Sequence, residues 1–272
     1  MKGFRHFPSE EQGPKLRIRA ESFADHYSQA RQFFISQTPP EQRHIADALT
    51  FELSKVETPV IRERMVAHLL NIDETLGKKV GHALGLETMP KPADAAVATR
   101  QDLDPSPALS IIQRGPKRFE GRKLGILATD GADGALLDAL IAAVEKEKAA
   151  FELIAPKVGG FTASDGKRIA AHQMLDGGPS VLYDAVVLLP SAEAVTDLID
   201  VATARDFVAD AFAHCKYIGY AGAAVPLLER AGIAELLDEG TIELTDAASA
   251  AAFLTEIGKL RVWGREPSVK LK

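Results

Sequence analysis

The sequence predicts an α/β fold: a parallel sheet with helices on both faces over residues 121–266, preceded by a four-helix segment over residues 20–86. Three observations predict it. After residue 120, short apolar runs alternate with amphipathic stretches, the pattern of strand–helix–strand units. Before residue 87, apolar residues recur at helical spacing behind clear start signals. Between the two, residues 87–120 carry Pro90, Pro92, Pro105, Pro107 and Pro116 among Ala, Asp and Lys, the composition of a linker laid over a surface.

Residues 1–19 read as an extended arm. Phe4, Phe7 and Pro8 show no period, and Gly13-Pro14 breaks the chain. The first helix is expected from Ser22 as cap, with Phe23, Tyr27, Ala30 and Phe34 on one face. The second starts at Thr38-Pro39-Pro40-Glu41, where Glu41 can reach back to Thr38 in a capping box and Pro39 loses nothing by lacking an N–H. Its stripe is Ile45, Leu49, Leu53 and Val56. The third repeats this with Thr58-Pro59, then Ile61, Met65, Leu69 and Ile72. The fourth begins at Asp73, buries Leu76, Val80 and Leu84, and ends at Gly85, placed for a left-handed C′ turn. Phe33, Phe51, Val66 and Leu70 lie off these stripes, so burial on a second face is expected.

In the α/β part, Lys123–Ala128 is a buried strand followed by the turn Asp130-Gly131-Ala132-Asp133-Gly134. A helix is expected over Ala135–Lys148 and a strand over Phe151–Ala155. A hairpin follows within Phe161–Leu175, turning at Ser164-Asp165-Gly166. Tyr183–Leu189 is a strand, Thr196–His214 a helix, Lys216–Tyr220 a strand leading into a Gly/Ala turn and a short helix. Ile242–Leu244 and Asp246–Gly258 are the last strand and helix, and residues 267–272 a tail.

Composition narrows the function. With 46% hydrophobic and 26% charged residues over 272, wholesale disorder is excluded. The apolar runs are too short for a bilayer, and no apolar stretch follows Met1-Lys2, so neither a membrane partner nor a secretory signal is expected. The net charge is −6, and only the arm leans basic (Lys2, Arg5, Lys15, Arg17 and Arg19 against Glu10 and Glu11), which argues against a nucleic-acid partner. Cys215 is the single cysteine. An intrachain disulfide framework is impossible, a thiolate zinc site is disfavoured, and a cytoplasmic location is expected.

Residues 20–57, AESFADHYSQARQFFISQTPPEQRHIADALTFELSKVE, resemble the helical domain of haem catalases, and GFRHFP with RIRAESF resembles the end of their wrapping segment. The part after the linker is similar to the C-terminal domain of large-subunit catalases. That domain is flavodoxin-like and related to the class I glutamine amidotransferase superfamily, in its intracellular-protease and deglycase branch. The resemblance implies part of a subunit that removes hydrogen peroxide in the oxidative stress response, with the family's haem-bearing barrel expected before Met1. It implies no haem in this chain. The family's axial Tyr has an Arg four residues before it and an Asp-Thr pair after it, and Tyr27, Tyr183, Tyr217 and Tyr220 lack that context. The chain alone is therefore expected to be inactive. The implied partner is the catalase barrel or a homo-oligomer, with unfolded proteins as a further class for a freed module.

No catalytic, cofactor-binding or metal residue is assigned. In the amidotransferase-like relatives a nucleophile sits at the elbow after a strand; aligned on KYIGY, that position falls at or near Gly222, flanked by Ala221 and Ala223. A glycine there suits a turn needing positive φ. Cys215 precedes the strand, and its neighbour His214 faces elsewhere on a helix, so a buried structural thiol is expected. The relatives' turn Glu falls near Gly134. Asp133 beside it has no thiol to activate and reads as a cap. The same turn is a weak phosphate-loop candidate for nucleotide or flavin, opposed by Asp130 and Asp133. His6, His26, His44, His68, His82, His172 and His214 form no H-x-x-x-H pair.

Overall fold

A computed structural model describes Pro8, Glu10 and residues 12–269. Lys2, Phe4, Arg5, His6, Phe7 and Glu11 of the arm, and residues 270–272 of the tail, lie outside the described residues. The described part of the arm before the first helical turn is exposed and has no regular structure. The chain divides into two compact units, residues 1–114 and 115–272.

The first unit contains α1 (Ser28–Ile35), α2 (Pro39–Ser54), α3 (Pro59–Ile72), α4 (Glu74–Ala83) and the single turn α5 (Ile111–Arg114). Its core joins Phe34, Ala46, Leu53, Val66, Leu69, Leu76 and Val80. Two expectations need correction. Ser22 is not the first cap. Glu21–Ala24 form a separate 3-10 turn, and the Asp25 carboxylate instead accepts the Ser28 amide at 3.0 Å, so the helix starts later and leaves Phe23 62% exposed. The stripe of α3 is also rotated. Ile61 and Met65 are exposed, while Val66 and Leu69 are buried. The cause lies on α4: Gly77 and Gly81, one turn apart, open a groove, and a Cβ on either would collide with Leu70 or crowd Val66. The helix therefore turns Val66 and Leu70 inward. Off the stripes, Phe33 and Phe51 remain exposed.

Residues 87–114 are bound back onto these helices by polar contacts. The Asn71 side chain donates to Ala93 O, Thr99 Oγ1 to Asn71 O, and the Arg100 and Ser106 amides donate to Ser28 Oγ and Ser36 Oγ. Glu41 is the densest point. Its carboxylate closes the expected capping box by accepting the Thr38 amide, and it also accepts the Thr38 hydroxyl, the Ser110 hydroxyl and the Ile112 amide at 2.7–3.0 Å. Burial works to raise its pKa, but these four donors outweigh it and hold the group at about 2.

The second unit is a flavodoxin-like parallel sheet. Its strands are β1 (Lys123–Ala128), β2 (Ala150–Ala155), β5 (Gln173–Met174), β6 (Ala185–Leu189), β7 (Ile218–Tyr220) and β8 (Thr241–Glu243), in the order β5-β2-β1-β6-β7-β8, every neighbouring pair parallel. β3 (Phe161–Thr162) and β4 (Arg168–Ile169) form a separate antiparallel hairpin, its turn allowed by Gly166 at φ +85. The edge strand β5 was not expected from the sequence. Along β6, Ala185, Val187 and Leu189 face one core with α6 (Gly134–Lys146) and α10 (Ala247–Glu256). Val186 and Leu188 face the other with α7 (Val195–Leu198), α8 (Ala202–Ala213) and α9 (Val225–Arg230). A last turn, α11 (Glu266–Val269), follows the 3-10 turn Trp263–Arg265.

The helix expected over Thr196–His214 is two pieces, α7 and α8, because Val201 between them is extended. Phe119, expected in the linker, is fully buried in the α/β core. Gly125 has a packing reason: a Cβ there would lie 2.4 Å from the Tyr183 ring, which covers the strand.

Candidate functional site

On such a sheet a ligand crevice opens where neighbouring strands send their connections in opposite directions, here between β1 and β6. A cavity of about 290 Å³ lies there, lined by Gly131 and Asp133 after β1, Ser191 after β6, Ala221 and Ala223 after β7, and Ser164 from the hairpin. The structure thus brings the two alanines that flank Gly222 together with the turn after β1, both singled out in the sequence, and adds Ser164 of the hairpin.

The chemistry of the lining is sparse. Ala221 and Ala223 have no reactive atom. Gly222 opens a 3-10 turn and is not among the positive-φ glycines, so the expected left-handed turn is not found there; a Cβ would meet only the end of the Glu243 side chain, at 3.2 Å. Asp133 Oδ1 accepts the Leu136 amide at 3.0 Å and caps α6. A phosphate cradle needs free amides, and three of those in this turn are already bonded. Gly131 N–H donates to Thr162 O, Ala132 N–H to Thr129 O, and Gly134 N–H to Ser164 Oγ, while Asp130 accepts the Thr162 amide at 2.7 Å. Ser191 was missed in the sequence. Its amide donates to Thr129 Oγ1 and its Oγ accepts the Ala194 amide, so it shapes the loop after β6. The only available signal was Pro-Ser directly after the apolar run VVLL. With two hydroxyls, one carboxylate and no imidazole or thiol in the lining, the cavity lacks a nucleophile–base pair.

Cys215 lies before β7, at the amino ends of the strands, whereas the cavity lies beyond their carboxyl ends. It is 3% exposed, and burial pushes its thiol up, with Arg265 working against that. Its backbone is left-handed (φ +56) because it is the C′ residue of α8: its amide donates to Phe212 O and the next amide, of Lys216, to Ala211 O, a Schellman motif. His214 is exposed, and its Nδ1 donates to Asp210 O at 2.7 Å, so it does not serve the thiol.

The residues present do not fit haem. An axial tyrosine must give up its proton and face an open pocket. The Tyr27 hydroxyl is bonded to His68 Nδ1 at 2.8 Å, and the Tyr183 hydroxyl donates to Glu152 at 2.9 Å. Burial, then Glu152, raises Tyr183 well above the usual tyrosine range, and burial also raises Tyr217 and Tyr220. Neither the crevice nor two further cavities, of about 510 Å³ beside α3 and 390 Å³ beside Arg265, is lined by a tyrosine or histidine. Among the described residues, no group of three or more His, Cys, Asp or Glu is placed to hold a metal ion, and no helix is long and apolar enough to cross a membrane.

Comparison with known proteins places both units. Residues 20–84 match the family described as catalase-related immune-responsive, and residues 120–267 match the C-terminal domain found in long catalases. Catalase HPII of Mycobacterium avium is 39% identical over 90% of this chain and 34% of its own length. Catalase HPII of Pseudomonas putida is 37% identical over 98% and 37%, and Catalase-2 of Bacillus subtilis 31% identical over 97% and 37%. The chain spans little more than a third of the length of these relatives.

Proposed function

Because the chain belongs to the long-catalase family and carries that family's C-terminal domain, we propose that it is the C-terminal module of a haem catalase that removes hydrogen peroxide, contributing assembly and stability and leaving the chemistry to the rest of the enzyme. The observation that carries this reading is the crevice. It lies where such a sheet holds a ligand, yet its lining offers Ala221 and Ala223 and no thiol or imidazole, where the resemblance to amidotransferase-like proteins implies an attacking group. An independent hydrolase or deglycase needs that group.

The helical unit supports a partner-bound role. Phe23, Phe33, Phe51 and Ile61 are 47–62% exposed, which suits a unit that packs against the catalase barrel or another copy in a cytoplasmic oligomer. The same residues give the freed module a way to hold unfolded proteins.

The test uses the chain and a long catalase truncated by its last third. The purified chain should show no Soret band and evolve no oxygen from peroxide. Added to the truncated enzyme, it should raise the activity that survives heating. Haem uptake with oxygen evolution by the chain alone, or no effect on the truncated enzyme, overturns the reading.

A further inference from the structure

Of the four methionines, Met65, Met89 and Met174 lie among the described residues. Met65 on α3 and Met174 on β5 are 39% and 38% exposed and belong to none of the cores. Met89 is partly buried and packs against the helical core. Its seat is the end of α4. Gly85, at φ +73, lets the Leu86 amide reach back to Gly81 O and its own amide to His82 O, a Schellman turn. Gly81 brings no side chain to this turn, and Met89 takes the space. A Cβ on Gly81 would lie 2.8 Å from both the Met89 sulfur and its methyl carbon, and 3.3 Å from Val66.

The chain beyond α4 depends on this seat. Residues 87–92 form no hydrogen bond with any described residue. The next anchor is Ala93, whose amide donates to Ala67 O at 3.1 Å and whose carbonyl accepts the Asn71 side chain at 2.7 Å. Between the Gly85 turn and Ala93, packing alone attaches the segment, and Met89 is its contact with the core. Met89 also lines the open cavity of about 510 Å³ beside α3, together with Arg62, Leu84 and Leu86. A small solute therefore reaches the residue that pins the segment.

We propose that Met89 is a modification site for hydrogen peroxide, and that its oxidation to the sulfoxide unpins residues 87–93 from α3 and α4. The choice of oxidant rests on the function proposed above. A sulfur lone pair attacks one peroxide oxygen and the O–O bond breaks. The transferred oxygen gives its proton to the departing hydroxide, leaving a sulfoxide and water. Sulfur loses two electrons and the peroxide gains them. The new oxygen is a strong acceptor in a seat formed by Gly81 and Val66. Arg62, on the cavity wall, already spends Nε and Nη2 on the carbonyls of Val56 and Ser54. An acceptor buried without a donor is costly, so the oxidised side chain leaves its seat and the segment loosens. Met65 and Met174 take the same oxygen at the surface, with no core contact to lose.

The test treats the full chain with hydrogen peroxide, assigns each sulfoxide by peptide mass spectrometry, and follows amide hydrogen exchange at Ala93. Once Met89 is oxidised, the Ala93 amide should exchange about tenfold faster or more, the change expected when a thioether loses its apolar contact. Met89→Leu keeps the volume and cannot be oxidised. In that variant peroxide should still convert Met65 and Met174 and leave Ala93 exchange unchanged. Three results overturn the proposal: Met89 staying a thioether while Met65 and Met174 react fully, a Met89 sulfoxide with Ala93 exchange unchanged, or the same acceleration in Met89→Leu. Should Met89→Leu fail to fold, wild type is oxidised for graded times. Ala93 exchange rising in step with the Met89 sulfoxide supports the site; exchange following the Met65 or Met174 sulfoxide instead overturns it. Peroxide is added here as a reagent, so the outcome is independent of whether the chain stabilises a truncated catalase.

Discussion

The two units solve one problem in different ways. The α/β unit closes itself with apolar layers: the largest fully buried side chains, from Phe119 to Phe253, all belong to it. The helical unit is tied by polar bonds. Glu41, Ser28, Ser36 and Asn71 fasten residues 87–114 across the helices while large apolar side chains stay outside. A sheet with helices on both faces can cover its apolar area alone. Four short helices have too little interior to do so. The difference teaches that the α/β unit is complete as a packed body, whereas the helical unit leaves large aromatic side chains uncovered.

The largest test strikes the apolar layer. Phe253 is fully buried between α10 and the sheet, so Phe253→Ala should cost about 3–5 kcal/mol. Denaturant unfolding read by Trp263 should show the whole loss. A cost below about 1 kcal/mol would mean that this layer is not what holds the unit.

A smaller effect is expected at the polar clamp. Glu41→Gln replaces an ionised acceptor of four bonds, and the loss should be about 2 kcal/mol. It should appear in far-UV circular dichroism of the helices and leave the Trp263 transition unmoved. The acid response has a definite sign. The folded value of about 2 lies below the ordinary 4.5, so the clamp's stabilisation is complete above about 4.5 and disappears as pH falls toward 2. In Glu41→Gln that acid-dependent part should be missing; an unchanged acid profile would show that the carboxylate does not hold residues 87–114.

What the sequence disclosed follows the range of each interaction. Capping boxes, strand runs and the turn residues Gly85 and Gly166 act within a few positions, and these were legible. The Schellman turns at Lys148 and Cys215 were not, because residues with a Cβ give no glycine signal for a left-handed backbone. The α3 face was misread because its partner, the Gly77–Gly81 groove, lies on another helix. The edge strand β5 has two residues and no periodicity to detect. At the crevice, the turn after β1 was legible in Asp130–Gly134, whereas Ser191 enters only because the fold brings the β6 loop against Gly131.

The smallest stability effect belongs to the exposed face, and it sharpens the comparison most. Phe51 is 62% exposed, and its visible contact is with Lys55, whose Nζ lies 3.9 Å from the ring centre. Removing it should change stability by no more than about 0.5 kcal/mol, as for an ordinary surface position. A second change, Phe33→Ser, extends the test to α1, where the ring is 47% exposed. If these side chains form a face meant for a partner, Phe33→Ser/Phe51→Ser should leave unfolding almost untouched while lowering hydrophobic-dye binding and self-association in sedimentation. The matched control is in the other unit. Val158 is equally exposed, at 60%, on the loop between β2 and the hairpin. Val158→Ser should change neither property. Equal losses of dye binding from both sites would make exposure alone the cause and remove the distinction between a closed unit and one built to be covered.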